Sequence, residues 1–154
     1  MNWTNEAWKK ATEKVIRNSR TIGVAFPHVS NNGIYKEEHL SWWTNGFYPG
    51  MLWLTYRDTK DEQLKNTAVA CEYKLDEAIN NYYGLHHDVG FMWSLTSVAQ
   101  YKLLNTEESK QRALHVASLL AGRFNLAGNF IRAWNMDFYG YAIIDCMMNL
   151  PLLY

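Results

Sequence analysis

An all-α protein assembled from helical hairpins is what this sequence predicts, on three observations. Apolar residues recur with helical periodicity along most of the chain, whereas alternating β-branched runs bounded by turn pairs are scarce. Short links with acidic residues at the following first turn separate successive periodic stretches, and short links join antiparallel neighbours. A helix–loop–helix unit then recurs at a spacing of roughly 45 residues, the mark of a repeat architecture.

In order, helices are predicted over residues 2–18, 46–57, 61–80, 89–104, 107–124 and from 142 to the C-terminus. T-K-D-E at Thr59 to Glu62 reads as a capping box, and N-T-E-E at Asn105 to Glu108 offers a similar acidic first turn. Gly46-Phe47 opens G-F-Y-P-G-M-L-W-L, and Gly90-Phe91 opens G-F-M-W-S-L, so one unit repeats. The first helix of each unit is apolar nearly all round and the second is amphipathic, which places the first inside and the second outside. A third inner helix, A-I-I-D-C-M-M-N-L-P-L-L-Y, begins without an outer partner.

Composition narrows the function. With 48% apolar residues in 154, the chain can bury a core and is expected to form a single domain over 1–154. Its 15 basic residues equal its 15 acidic ones and no basic stripe stands out, which argues against nucleic acid. M-N-W-T-N-E-A-W-K-K lacks the apolar run of a secretory signal and no stretch is apolar enough to span a bilayer; a cytoplasmic protein without membrane contact is expected. Cys71 and Cys146 sit outside any C-x-x-C pair and are expected as small core residues. No G-x-S-x-G elbow, P-loop or dinucleotide fingerprint is present, so no nucleotide cofactor is expected.

Three stretches carry polar chemistry at predicted inner-helix entrances. In S-W-W-T-N-G-F-Y-P-G, Trp42 and Trp43 either stack on a sugar ring, whose C–H face is apolar, or pack the top of a hairpin. L-H-H-D-V-G-F offers a metal reading that the spacing does not support, since adjacent histidines point apart and no H-x-x-x-H pattern helps them. Asp88 also reads as an ordinary helix N-cap. Asp145 in A-I-I-D-C-M-M-N-L is a carboxyl amid apolar neighbours, either lining a pocket, where burial and a second carboxylate would make it a proton donor, or capping a helix that starts later. Asn149 lies four positions on and shares its face.

W-T-N-G-F-Y-P-G-M-L-W-L, H-H-D-V-G-F, and F-I-R-A-W-N followed by A-I-I-D-C-M-M-N-L-P-L-L-Y together resemble the unsaturated glucuronyl hydrolases, glycoside hydrolase family 88, as does F-P-H-V-S at Phe26 to Ser30. The resemblance implies an (α/α)6 barrel, of which this chain would be the N-terminal portion, about three of six hairpins. It implies a substrate left by polysaccharide lyases, an oligosaccharide ending in a 4,5-unsaturated uronic acid, and hydration of the C4=C5 enol ether without metal or cofactor. By that resemblance Asp145 and Asp88 are catalytic, Asp145 giving the proton and activating the water while the charge of Asp88 keeps it protonated. His87, Trp43, Trp134 and Asn45 would contact the sugar, with Asn149 beside them. Two alternatives stand beside this reading: an unsaturated rhamnogalacturonyl hydrolase, favoured less by I-I-D-C-M-M-N-L-P-L-L, and a non-catalytic helical fragment that self-associates through its exposed C-terminal helix.

Overall fold

Twenty residues, Trp3–Ile22, form α1 in the computed structural model, which describes residues 2–81 and 84–154. Asn2 caps it by accepting from the Thr4 amide, and Gly23, at φ +63°, ends it with its amide on the Ser19 carbonyl. Next come two strands that the all-helical expectation omits, β1 (Pro27–Asn31) and β2 (Ile34–Glu37), antiparallel across Asn32-Gly33. Both turn residues have positive φ, as a two-residue hairpin turn requires.

A 3-10 turn at Trp43–Gly46 leads into α2 (Phe47–Thr59), followed by α3 (Glu62–Asn80). The expected capping box is shifted: Asp61, not Thr59, caps α3 by accepting from the Gln63 amide, because Thr59 is still the last residue of α2. The long helix expected over 89–104 is two helices, α4 (Val89–Leu95) and α5 (Ser97–Leu104). At the break, the Thr96 hydroxyl bonds the Met92 carbonyl, and Ser97 Oγ donates to the buried Glu72. Helix α6 (Glu107–Ala121) ends three residues before the expected Phe124, where Phe124–Asn125 (β3) pairs with Phe130–Ile131 (β4). The C-terminal helix is far shorter than expected: α7 covers only Cys146–Asn149 and tightens into a 3-10 turn at Leu150–Leu153, since Pro151 has no amide hydrogen to continue an α-helix.

The hairpin logic holds. Helix α2 packs on α3, α5 packs on α6, and α4 lies between α2 and the α7 segment. On α3 the buried Leu64, Ala68, Cys71, Leu75 and Ala78 follow i+3/i+4 steps, and on α6 Val116 and Leu120 do the same. They close over Leu52, Trp53, Met92 and Trp93 in one core. Both cysteines are free and buried.

Two glycines explain the repeated G-F. A Cβ on Gly46 would lie 2.6 Å from the Met92 Cα, and one on Gly90 would lie 2.4 Å from the Asn149 Cα. Each inner helix therefore opens on a glycine so that the next inner segment can cross it at backbone distance. The three-segment stack is not closed into a barrel. The outward face of α2 and α4/α5 leaves Phe47, Met51 and Leu54 partly exposed along an open groove of about 430 Å³. Among the described residues no helix is long and apolar enough to cross a membrane.

Candidate active site

The entrances of α2, α4 and α7 meet at one cleft of about 440 Å³, lined by Trp42, Trp43, His86, His87, Asp88, Phe91, Trp134, Ile143 and Asp145. His87 is its centre and is 1% exposed. Its Nε2 lies 3.2 Å from Asp88 Oδ1 and 3.0 Å from Asp145 Oδ2, so one ring nitrogen joins two carboxyls 57 positions apart in sequence. The other nitrogen, Nδ1, makes a short hydrogen bond to the Ala133 carbonyl, which also accepts from the His87 amide at 3.3 Å. A carbonyl can only accept, so Nδ1 carries a hydrogen. Neutral His87 then turns a bare Nε2 lone pair to two carboxyl oxygens, and this triad is relieved only if it holds at least one proton, on the imidazole or on an acid.

Burial supplies a place for that proton. Asp88 is nearly enclosed, and loss of solvent raises its pKa; His87 opposes the shift and the neighbouring Asp145 carboxylate adds to it. Asp145 Oδ2 is tied to His87, while Oδ1 is buried and makes no hydrogen bond to the protein. Burial also pushes His86 down to about 4, so it is neutral at physiological pH.

The cap readings give way to these contacts. Asp88 and Asp145 both sit at helix N-cap positions, yet neither side chain bonds a first-turn amide. Both backbones are already helical there, which aims the carboxyls at His87 instead. Asn149, fully buried, ties the two helices: its Oδ1 accepts from the Phe91 amide at 2.8 Å, and its Nδ2 reaches Asp88 Oδ1 at 3.3 Å and the Asp145 carbonyl at 3.2 Å. It holds Asp88 rather than lining the cleft.

The aromatic pair divides its work. Trp42 packs edge-on against His28 and His39 and donates its indole N–H to His28 Nδ1, bracing the turn. Trp43 is 38% exposed and leans on Phe47 and Phe91, offering a ring to the cleft. Trp134 lines the same cleft, edge-on to His87 with centroids 6.3 Å apart and backed by Phe138 and Tyr141. Asn45 is not in the cleft wall: it is buried, and its amide donates to the His39 and Leu40 carbonyls, fixing the turn that carries Trp42 and Trp43.

One premise of the metal argument fails. The adjacent histidines do not point apart; their rings lie 5.1 Å apart at 31°, because both turn toward the Asp88 carboxyl. Among the described residues, His86, His87 and Asp88, or His87, Asp145 and Cys146, bring donor atoms within 4.8 Å of one another. His87 belongs to both sets, and its Nδ1 is already committed to Ala133.

Sequence reasoning also missed Arg123. Its guanidinium donates to the carbonyls of Arg132, Ala133 and Trp134 and to Asn135 Oδ1, all between 2.8 and 3.0 Å. A lone arginine after an amphipathic helix gives no signal of that, since its partners are backbone atoms.

No protein-family model matches the chain. Among curated proteins it is 38% identical over 143 residues to an unsaturated glucuronyl hydrolase from Bacillus sp. strain GL1, matching 89% of this chain and 38% of that protein. Its fold superposes with a TM-score of 0.88 and 36% identity on the crystal structure of the unsaturated glucuronyl hydrolase, responsible for the degradation of glycosaminoglycan, from Bacillus sp. GL1, covering 96% of this chain and 41% of that one. A mutant unsaturated glucuronyl hydrolase from Streptococcus agalactiae complexed with dGlcA-GalNAc6S superposes at 0.77 with 31% identity, over 96% of this chain and 35% of that one. The chain thus spans about two fifths of the length of the relatives it matches.

Proposed function

We propose that this chain, homologous to part of the unsaturated glucuronyl hydrolases, binds a non-reducing 4,5-unsaturated uronic acid of lyase-generated glycosaminoglycan fragments and hydrates its C4=C5 bond. The observation that carries the reading is the convergence of Asp88 and Asp145 on His87 Nε2 at a cleft walled by Trp43 and Trp134. That the relative from Streptococcus agalactiae is complexed with dGlcA-GalNAc6S supports a uronate joined to an amino sugar as the substrate class.

The steps follow the geometry. A pyranose lies between the two indoles, its C–H faces on aromatic surface. Asp145 gives a proton to C4 while a water oxygen attacks C5, and the water's second proton returns to the carboxylate, so the acid is restored. The hemiketal formed at C5 then opens: the C5–ring oxygen bond breaks to give a ketone, leaving a hemiacetal at C1, whose collapse to the aldehyde breaks the C1–glycosidic oxygen bond and passes the hydroxyl proton to the departing sugar. His87 Nε2 lets the triad share the proton that burial favours on Asp88, so Asp145 can be charged or recharged without a distant donor.

Among the described residues that line the cleft there is no lysine or arginine, so the uronate carboxylate meets aromatic walls and acids rather than a cation. Titrating unsaturated chondroitin, hyaluronan or heparin disaccharide into the chain tests both halves of the reading. Saturable change in tryptophan fluorescence reports binding, and decline of near-ultraviolet enol-ether absorbance reports hydration. Absorbance that stays flat refutes hydration, and unsaturated rhamnogalacturonan fragments turned over in preference would move the substrate to the pectin class.

A further inference from the structure

We infer that Arg123 is a positioning residue of this site: it grips the Ala133 carbonyl that fixes which nitrogen of His87 carries the proton, and so keeps Nε2 facing Asp88 and Asp145. The catalytic meaning of this rests on the hydrolase reading above; the structural meaning does not.

The connection is continuous. Ala133 O receives three donors: Arg123 Nη2 at 3.0 Å, the His87 amide at 3.3 Å and His87 Nδ1. The same guanidinium holds the carbonyls on either side, Arg132 by Nε at 2.8 Å and Trp134 by Nη2 at 2.9 Å. Its Nη1 holds Asn135 Oδ1, and Asn135 Nδ2 in turn donates to the Leu85 carbonyl, two residues before His87. One planar cation therefore sets three consecutive carbonyls of the segment bearing Trp134 and docks that segment on the loop bearing His87. The Arg123 backbone carbonyl also accepts from the Arg132 amide, closing the β3–β4 hairpin on itself.

The consequence for His87 is specific. A histidine's tautomer is set by the hydrogen bond its other nitrogen makes, so an acceptor held at Nδ1 dictates a lone pair, or an added proton, at Nε2. Rotating Ala133 O away would let Nε2 carry the hydrogen and turn it into a fixed donor to both carboxyls, ending its ability to accept from them. Lysine cannot replace the arginine, because a single ammonium cannot span the fork of acceptors that Nε, Nη1 and Nη2 serve.

The test is the nitrogen-15 signature of the His87 ring in the full chain, read with Arg123→Ala and Arg123→Lys. The intact chain is expected to hold a hydrogen on His87 Nδ1 across neutral pH. Arg123→Ala should lose that single pattern and give mixed tautomers, free guanidinium should restore it, and Arg123→Lys should restore it only in part. In turnover, Arg123→Ala should lower kcat on the order of 100-fold with KM little changed, the effect expected of a misplaced reacting group. A folded Arg123→Ala chain with the intact His87 pattern overturns the inference. So does the intact chain itself showing the hydrogen on Nε2 alone, a result that decides the matter even if the alanine variant fails to fold. Absence of turnover with the tautomer results as expected would instead count against the hydrolase reading and leave the positioning role standing.

Discussion

Replacing Gly90 with alanine sets two local effects of opposite sign against each other. Gly90 lies in α4, where alanine is worth about 1 kcal/mol more than glycine in intrinsic helix propensity, so propensity alone predicts a stabler chain. Packing predicts the reverse. The added Cβ would sit 2.4 Å from the Asn149 Cα and carbonyl oxygen, whereas ordinary contact begins near 3.4 Å, so α7 must retreat by roughly 1 Å. These are backbone atoms and cannot swing aside as a flexible side chain can. Overpacking of this kind costs about 1–3 kcal/mol, and at the upper end a net loss of about 2 kcal/mol remains after the propensity gain. The same displacement carries Asp145 away from His87, stretching the 3.0 Å contact beyond hydrogen-bond range. Urea denaturation followed by circular dichroism measures the first effect, expected as a lower midpoint at unchanged slope. Gly140→Ala, with nothing within 4 Å of its added Cβ, is the matched control and should leave the midpoint nearly unchanged. A Gly90→Ala chain stabler than the parent, by the roughly 1 kcal/mol that propensity alone gives, would refute the close-crossing account of both the repeat and the site.

Other expectations concern the core and the open face. Glu72, buried and pushed up to about 7 by loss of solvent despite bonds from Trp53 and Ser97, binds a proton more tightly folded than unfolded, where 4.5 applies. Between pH 4.5 and 7 the folded chain therefore holds the extra proton and stability falls as pH rises, on the order of 3 kcal/mol in total. Glu72→Gln should flatten this part of the melting-temperature profile, and an unchanged slope would remove Glu72 as its source. Around α7 the side chains of Ile144, Met147 and Met148 are 88%, 62% and 65% exposed, an apolar flank expected to drive self-association. Size-exclusion chromatography should show concentration-dependent oligomers that diminish when all three become serine; a clean monomer across concentrations would contradict this.

The helical hairpins were legible because burial imposes its period on the sequence: Leu64, Ala68, Cys71 and Leu75 announce one face of α3. The repeated G-F was legible too, though its cause, a backbone crossing, is visible only in three dimensions. Elements held by few buried side chains were not. The β1–β2 hairpin is mostly exposed and carries no apolar alternation, and its one local signal is the Asn32-Gly33 turn. Thr96 broke a periodic run through its hydroxyl, a competition that hydropathy cannot register. In the site, His87, Asp88 and Asp145 stood out by residue type and Trp134 only through the family resemblance, and all four line the cleft. Their mutual geometry did not, because it passes through the Ala133 carbonyl, and every residue has a carbonyl. Asn45 came from the family resemblance and Asn149 from its place on the face of Asp145; in the fold Asn45 donates to two backbone carbonyls, and Asn149 accepts from the Phe91 amide and reaches Asp88.

The central claim is that the Asp88–His87–Asp145 triad hydrates an unsaturated uronic acid, and the most direct measurement is the rate of enol-ether absorbance loss on unsaturated chondroitin disaccharide for the chain beside Asp145→Asn. The account predicts a measurable decline for the chain and none for the variant, with both still folded by circular dichroism. Continued turnover by Asp145→Asn, or no decline with either protein, would contradict it.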